Sequence, residues 1–400
     1  MHTTRKVTDD LYYIGCNDRK LERFENLFTL PNGVSYNSYL IMDEKVALTD
    51  TIDADVTDQF IENINYVLNG RNIDYLIIHH MEPDHGANIK RLMDLYPDMT
   101  LVGNVKTKKM VDQFFDFDCE DCIQIVKEGD SLNLGSHTLT FYMAPMVHWP
   151  EVMVSYDEKD KVLFSADGFG TFGALDGGIF NDEANFEEKY LDEARRYYGN
   201  IVGKYGMQTA NLLKKAAGLD IQMICPLHGP IWRSDLSYFL EKYDRWSTYT
   251  PETEGVLILC GSVYGHTMAA AEKIALKLKE KGVKEVVLYD VSKTEVSYLI
   301  AEIFKYSHLI FACATYNNGI FPKMADLLHD MKALALQKRT VGIVQNGTWA
   351  PASGKLIREE LESMKDMKIV DKQVNILSAL KAAQESEVDD FVSAFTESMK

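Results

Sequence analysis

Short apolar runs recur through the first 230 positions, and four of them lead into residues able to bind a metal. Tyr75-Leu76-Ile77-Ile78 leads into His79-His80-Met81-Glu82-Pro83-Asp84-His85-Gly86. Phe141-Tyr142-Met143-Ala144-Pro145-Met146-Val147 precedes His148, Val162-Leu163-Phe164-Ser165-Ala166 precedes Asp167, and Ile221-Gln222-Met223-Ile224-Cys225-Pro226-Leu227 precedes His228. Runs of this length bounded by turn residues predict buried strands. Tyr36–Met42 and Lys45–Thr49 also read as strands, with helical periodicity at about 54–69 and 106–117. Strands arrive in hairpin-like pairs as well as singly between helices, which predicts a β-sandwich core clad in helices and not a simple parallel sheet.

The pattern changes after the small polar segment Ser247-Thr248-Tyr249-Thr250-Pro251-Glu252-Thr253-Glu254, a linker by composition. Strand and helix then alternate regularly, with strands expected near 255–260, 285–289, 308–313, 340–345 and 374–378. Five such units predict a doubly wound parallel sheet, whose ligands sit at the carboxyl ends of its strands. The expected domains are residues 1–250 and 251–400.

With 46% hydrophobic residues and no apolar stretch of membrane length, the 400-residue chain reads as soluble and of two or three domains. No apolar core follows Met1-His2-Thr3-Thr4-Arg5-Lys6, so a cytoplasmic location is expected. A net charge of -18 argues against nucleic acid and anionic membrane as partners. The six cysteines are scattered, as in a reducing compartment. Cys119-Glu120-Asp121-Cys122 is the one close pair. Without a second pair it makes no four-cysteine metal site, and the sequence favours two incidental thiols over a redox pair.

Against that background the candidate chemistry is concentrated. His80, Glu82, Asp84, His85, His148, Asp167 and His228 supply four imidazoles and three carboxylates, enough for two metal ions. Side-chain alternation would start His80, Glu82 and Asp84 on one face, with Pro83 and Gly86 bending the chain to bring His85 round. So many polar groups beside buried strands would be costly to bury without a cation. His79 and Met81 point the other way and read as packing residues. His2, His137, His266, His308 and His329 have no carboxylate partner in sequence and are left out of the metal site. Oxygen and nitrogen donors without cysteine suit iron or manganese, although zinc accepts them.

The second domain suggests a flavin. Its first strand ends in Cys260-Gly261-Ser262-Val263-Tyr264-Gly265-His266-Thr267 at a helix start, where hydroxyls and free amides would cradle a phosphate. Neither dinucleotide nor nucleoside-triphosphate glycine patterns are present, which leaves a mononucleotide. Ala314-Thr315-Tyr316-Asn317-Asn318-Gly319 and Gln345-Asn346-Gly347-Thr348-Trp349 end two further strands, and their aromatic and amide groups suit a flat ring. FMN is the expected ligand. A module that takes electrons in pairs makes sense beside a reductive metal pair and none beside a hydrolase, which favours iron.

The string His80-x-Glu82-x-Asp84-His85, then His148 after 62 residues, Asp167 after 18 and His228 after 60, followed by a flavodoxin-like module, resembles the flavodiiron proteins, or A-type flavoproteins. The resemblance spans essentially the whole chain, and Glu82 stands where related zinc hydrolases carry a second histidine. It implies an αββα metallo-β-lactamase-like domain followed by a flavodoxin-like five-stranded sheet. It implies one iron on His80, Glu82 and His148, another on Asp84, His85 and His228, and Asp167 bridging. It further implies reduction of dioxygen to water or nitric oxide to nitrous oxide, in detoxification of oxygen or nitrosative stress. The external donor would be a rubredoxin or a reduced deazaflavin, and the assembly a head-to-tail homodimer or a homotetramer. The chain has Phe24-Glu25-Asn26 where some relatives place a histidine, and its fourth-strand loop is less glycine-rich than usual in the family. Two other classes stay open: a zinc hydrolase with an accessory flavodoxin module, and a non-enzymatic electron carrier with a vestigial metal site.

Overall fold

A computed structural model describes residues 1–117, 119 and 121–399. Contacts divide the chain into two compact units, Met1–Tyr198 with Met207–Tyr243, and Gly199–Gly206 with Asp244–Lys400.

The first unit holds two sheets. Seven strands form one, in the order Arg5–Lys6, Leu11–Tyr13, Tyr39–Met42, Val46–Thr49, Tyr75–Ile77, Thr100–Gly103 and Ile123–Ile125. Its first four are antiparallel, and the last three join in parallel. The other sheet runs Ser131–Asn133, Thr138–Met143, Met153–Asp157, Val162–Phe164 and Met223–Cys225. The sheets face each other: Phe164 of the second packs its ring on Tyr39 and His79 at the first. Two helices beside them form as their sequences dictate. Thr57–Leu68 buries Phe60, Ile64, Val67 and Leu68 at helical spacing and ends on Asn69 in the left-handed region. Val105–Phe114 starts on a reciprocal Asn104/Thr107 cap.

Two local readings need correction. Tyr36–Met42 is not one strand, because the chain breaks at Asn37-Ser38 into Val34–Tyr36 and Tyr39–Met42, which belong to different sheets. Asn37 turns its amide away from any ladder to bond the carbonyls of Pro226 and Gly229. Nor is the ligand cluster extended: the strand stops at Ile77, and Pro83–Gly86 is a single helical turn. Proline at the first helical position suits that start, since its missing N–H would have had no partner there.

In the second unit a parallel sheet runs in the order Val286–Asp290, Thr253–Gly261, Tyr306–Tyr316, Thr340–Asn346, Lys368–Ile376. A short strand, Gly319–Ile320, pairs antiparallel on Tyr316 and Thr315. The last parallel strand begins at Lys368, earlier than its apolar signal near 374. It lies at the edge, where Lys368, Asp371 and Lys372 face solvent and hide the strand from a hydrophobicity reading. Its register with Thr340–Asn346 shifts between Val341 and Ile343. Helix His266–Glu280 packs Ala270, Ala271, Ile274 and Leu278 into a core with Ile258, Ile310 and Phe391. Arg339 is fully buried and donates to five carbonyls, those of Ile303, Phe304, Tyr249, Gln337 and Lys338. No helix among the described residues is long and apolar enough to cross a membrane.

Candidate metal and cofactor sites

The strands Val162–Phe164 and Met223–Cys225 pair in parallel, so their carboxyl ends lie side by side and deliver Asp167 and His228 together. His148 comes from the loop between Thr138–Met143 and Met153–Asp157. The turn Pro83–Gly86 supplies Asp84 and His85 next to His80 and Glu82. All seven expected ligands thus converge, and they form two groups: His80, Glu82, His148 and Asp167, and Asp84, His85 and His228.

Asp167 belongs to both. Its Oδ2 lies 3.3 Å from His80 Nε2 and 3.1 Å from His148 Nε2, while its Oδ1 lies 3.3 Å from His85 Nε2 and 3.7 Å from His228 Nε2. Glu82 Oε2 stands 3.0 Å from His148 Nε2 and 3.3 Å from His80 Nε2. On the other side Asp84 Oδ2 is 3.3 Å from both His85 Nε2 and His228 Nε2, and those two nitrogens are 3.0 Å apart.

Residues that the sequence did not single out aim these groups. Glu151 Oε1 accepts from His80 Nδ1 at 2.8 Å and from the Met81 N–H, and the Ser35 carbonyl accepts from His228 Nδ1 at 2.8 Å. Both contacts assign the Nδ1 proton and make Nε2 the nitrogen that faces inward, where a metal would take its lone pair. Asp50 Oδ1 accepts the backbone N–H of His79 at 2.7 Å and of His80 at 3.2 Å. Its Oδ2 pairs with His79 Nδ1 at 2.6 Å, and His79 Nε2 meets Ser155 Oγ at 2.8 Å. This serine, histidine and aspartate set is sealed in the core, so it anchors the ligand turn and offers no nucleophile. A carboxylate directly after a buried strand, as at Asp50, was the available signal. Glu151, three residues past His148, was another.

Aromatic rings wall the centre. Phe24, Tyr36 and Tyr197 pack around His228, and Trp149 stands edge-on to His80 at 5.2 Å. The Tyr197 hydroxyl is buried without a hydrogen-bond partner, near Asp167, Asp84 and Glu82. Glu25 keeps much of its surface exposed but turns its carboxyl to Glu82; burial of that end and the Glu82 charge push it up to about 8. It holds φ +50 in the tight turn Glu25-Asn26.

Electrostatics test the fit to metal. Burial opposes charge on His80, yet Asp167, Glu151 and Glu82 hold it well above the ordinary imidazole value. Burial also opposes charge on His148, and Asp167 and Glu82 still push it up to about 9. Burial works against the Asp167 charge, which His80, His148 and His85 nevertheless hold well below the carboxylate range. Three buried carboxylates demand positive charge, and among the described residues the groups paired with them are the four histidines. Both Asp84 oxygens, Asp167 Oδ1 and His85 Nδ1 make no hydrogen bond. Buried carboxylates with oxygens left without hydrogen bonds are costly, so the donor set fits two divalent cations. A third group, Asp10, His137 and Asp160, differs: the Lys159 ammonium pairs with Asp10 and reaches His137 Nε2 at 3.0 Å, so the site already holds a cation.

In the second unit a cavity of 520 Å³ opens at the strand ends. Every residue named in the three expected loops from Ser262, Ala314 and Asn346 onward lines it, except Gly265 and Gly319; Ala350 and Ser378 were missed. Gly265, at φ +92, caps helix His266–Glu280 and donates its N–H to Ser262 Oγ, shaping the loop from behind. Gly319 folds back on Tyr316 in the short strand. Asn346 Nδ2 donates to Thr267 Oγ1 and to the Ser378 carbonyl, tying the loops together, while its Oδ1 is buried and unpartnered. Tyr264 and Trp349 are 91% and 87% exposed at the rim, free to lie against a ring.

Residues 34–229 match the family described as ODP family beta lactamase, and residues 258–375 match flavodoxin. Over 365 residues the chain is 32% identical to a rubredoxin-oxygen oxidoreductase of Megalodesulfovibrio gigas, covering 90% of this chain and 89% of that one. It is 31% identical to a nitric oxide reductase of Moorella thermoacetica, covering 90% of each. The chain belongs to the flavodiiron protein family. The solved rubredoxin oxygen:oxidoreductase from Desulfovibrio gigas superposes with a TM-score of 0.92 at 29% identity, over 99% of this chain and 98% of that one. As a flavodiiron protein it is an oxidoreductase with FMN and a non-haem iron pair as cofactors, and both sites above have the donors these groups need.

Proposed function

We propose that this flavodiiron protein reduces a diatomic gas, dioxygen to water or nitric oxide to nitrous oxide, at an iron pair held by the seven convergent residues. His80, Glu82 and His148 would hold one iron, Asp84, His85 and His228 the other, with Asp167 between. The observation that carries the reading is Asp167, whose two oxygens face two separate donor groups. FMN, when bound, supplies electrons and the iron pair a seat for the gas. The chain's own residues do the rest. Glu151 and the Ser35 carbonyl fix which histidine nitrogens point inward. The rings of Phe24, Tyr36 and Trp149 keep water from the centre, and Tyr197 offers a hydroxyl that no protein atom claims.

Near-equal likeness to an oxygen reductase and a nitric oxide reductase supports testing both gases. For the donor we favour a rubredoxin, as the name of the Megalodesulfovibrio relative suggests, over a reduced deazaflavin. The exposed Tyr264 and Trp349 beside the FMN cavity support a protein docking there, either that donor or a second copy in a head-to-tail homodimer or homotetramer. Protein loaded with iron and FMN and supplied with chemically reduced rubredoxin should consume one gas or both at an electrode. Asp167→Asn and His228→Ala should lose more than about 100-fold in turnover and keep the flavin absorbance. Consumption of neither gas, or zinc with hydrolytic turnover, would replace this reading.

A further inference from the structure

The sequence favoured two incidental thiols at Cys119 and Cys122, but the structure joins them in a disulfide, with Cα atoms 4.8 Å apart. Glu120, between them, lies outside the described residues. The other four cysteines, Cys16, Cys225, Cys260 and Cys313, are free and buried. Among the described residues Cys122 is the one cysteine that is partly exposed, while Cys119 is 1% exposed.

A bridge across three positions closes one of the shortest possible loops, so it removes little freedom from the unfolded chain and adds little stability that way. Its place in the fold is more telling. It lies between helix Val105–Phe114 and the edge strand Ile123–Ile125. The Cys122 carbonyl accepts the Leu101 N–H, which opens the pairing of that strand with Thr100–Gly103. The same helix starts at Asn104, whose side chain donates to the Glu151 carbonyl, and Glu151 holds His80.

We propose that Cys119–Cys122 is a reversible thiol–disulfide exchange site for a dithiol reductant, and that its reduction loosens the edge strand at Leu101. The entering thiolate bonds to Cys122 Sγ, the sulfur of the more exposed cysteine, and the Cys119–Cys122 bond breaks with Cys119 leaving as a thiolate that takes up a proton. The reductant's second thiol then attacks its own sulfur in the mixed disulfide and releases Cys122 as a thiol. The net change is two electrons and two protons gained by the protein and one disulfide formed in the reductant.

The test uses the full chain, with its cofactors, purified without reductant. Denatured in N-ethylmaleimide and digested, it should give an unlabelled Cys119–Cys122 peptide and four labelled cysteines elsewhere. Native protein incubated with dithiothreitol should yield that peptide doubly labelled, and oxidised dithiothreitol should restore the bond. Reduction should speed hydrogen exchange at the Leu101 amide on the order of tenfold, and Cys122→Ser should match the reduced protein. Labelling of both cysteines without reductant overturns the proposal. So does a bond that dithiothreitol breaks only after unfolding, and so does Leu101 exchange that neither reduction nor Cys122→Ser changes.

Discussion

Asp50 ends the strand Val46–Thr49 at φ +50, and its two oxygens hold the His79 ring and the N–H groups of His79 and His80. Asp50→Ala would leave these buried donors unpaired, at roughly 1–3 kcal/mol each. We expect a lower urea midpoint and iron content falling below half, read by elemental analysis. Asp50→Asn keeps one acceptor and should retain more iron. Glu183 gives a pH effect outside the metal centre. Its hydrogen bonds to Arg5 and to the N–H groups of Ile179 and Phe180 hold it below the carboxylate range. A depressed folded value means the stabilisation is present above the unfolded value, near pH 4.3, and is lost as pH falls through the folded one. Wild type should therefore exceed Glu183→Gln by about 1 kcal/mol at pH 6, and the gap should close toward pH 3 in paired urea titrations. The seven candidate ligands stood out because so many histidines and carboxylates follow apolar runs, and the structure brings them together. Asp50 and Glu151 carried only weak signals of position, and their roles stayed hidden because their partners lie 29 and 71 positions away.

At the level of elements, strand ends position the chemistry and close packing holds them there. Gly229, next to His228, has φ +78, and a Cβ on it would lie 2.1 Å from Thr171 Cγ2. Gly229→Ala combines backbone strain with a clash and should lose about 2–4 kcal/mol, measured by urea unfolding. Adding Thr171→Ser removes the clashing methyl and should recover the packing share while the strain persists. The periodicity correctly announced strands, yet it could not show that Pro83–Gly86 coils into a turn, since four residues carry no helical period. The edge strand Lys368–Ile376 was cut short for a different reason, its outer half interrupting Ile369 and Val370 with the exposed Lys368, Asp371 and Lys372.

Over the whole molecule, the residues that would hold iron lie in one unit and those that would hold FMN in the other. Calorimetry should therefore resolve separate responses. Chelating the iron should lower one transition and spare the other, while FMN at a hundredfold excess over its Kd should raise only the second, by about 2.7 kcal/mol. A single transition moved equally by both treatments would contradict this independence. Composition suggested two domains, but not that the second unit borrows Gly199–Gly206 from the middle of the first. In that borrowed stretch Asn200 donates to the Ser297 carbonyl, Gly203 accepts from the Tyr249 hydroxyl, and Gly199 sits against the Phe304 ring. On the ribosome these eight residues emerge about a hundred positions ahead of Ser297 and Phe304, so those two contacts must wait for the later part of the chain. A gene fragment cut at residue 250 would keep Tyr249 for Gly203 but lose Ser297 and Phe304, and a fragment starting there would lack all eight residues. The two modules cannot be exchanged between chains by a single crossover without leaving this piece behind.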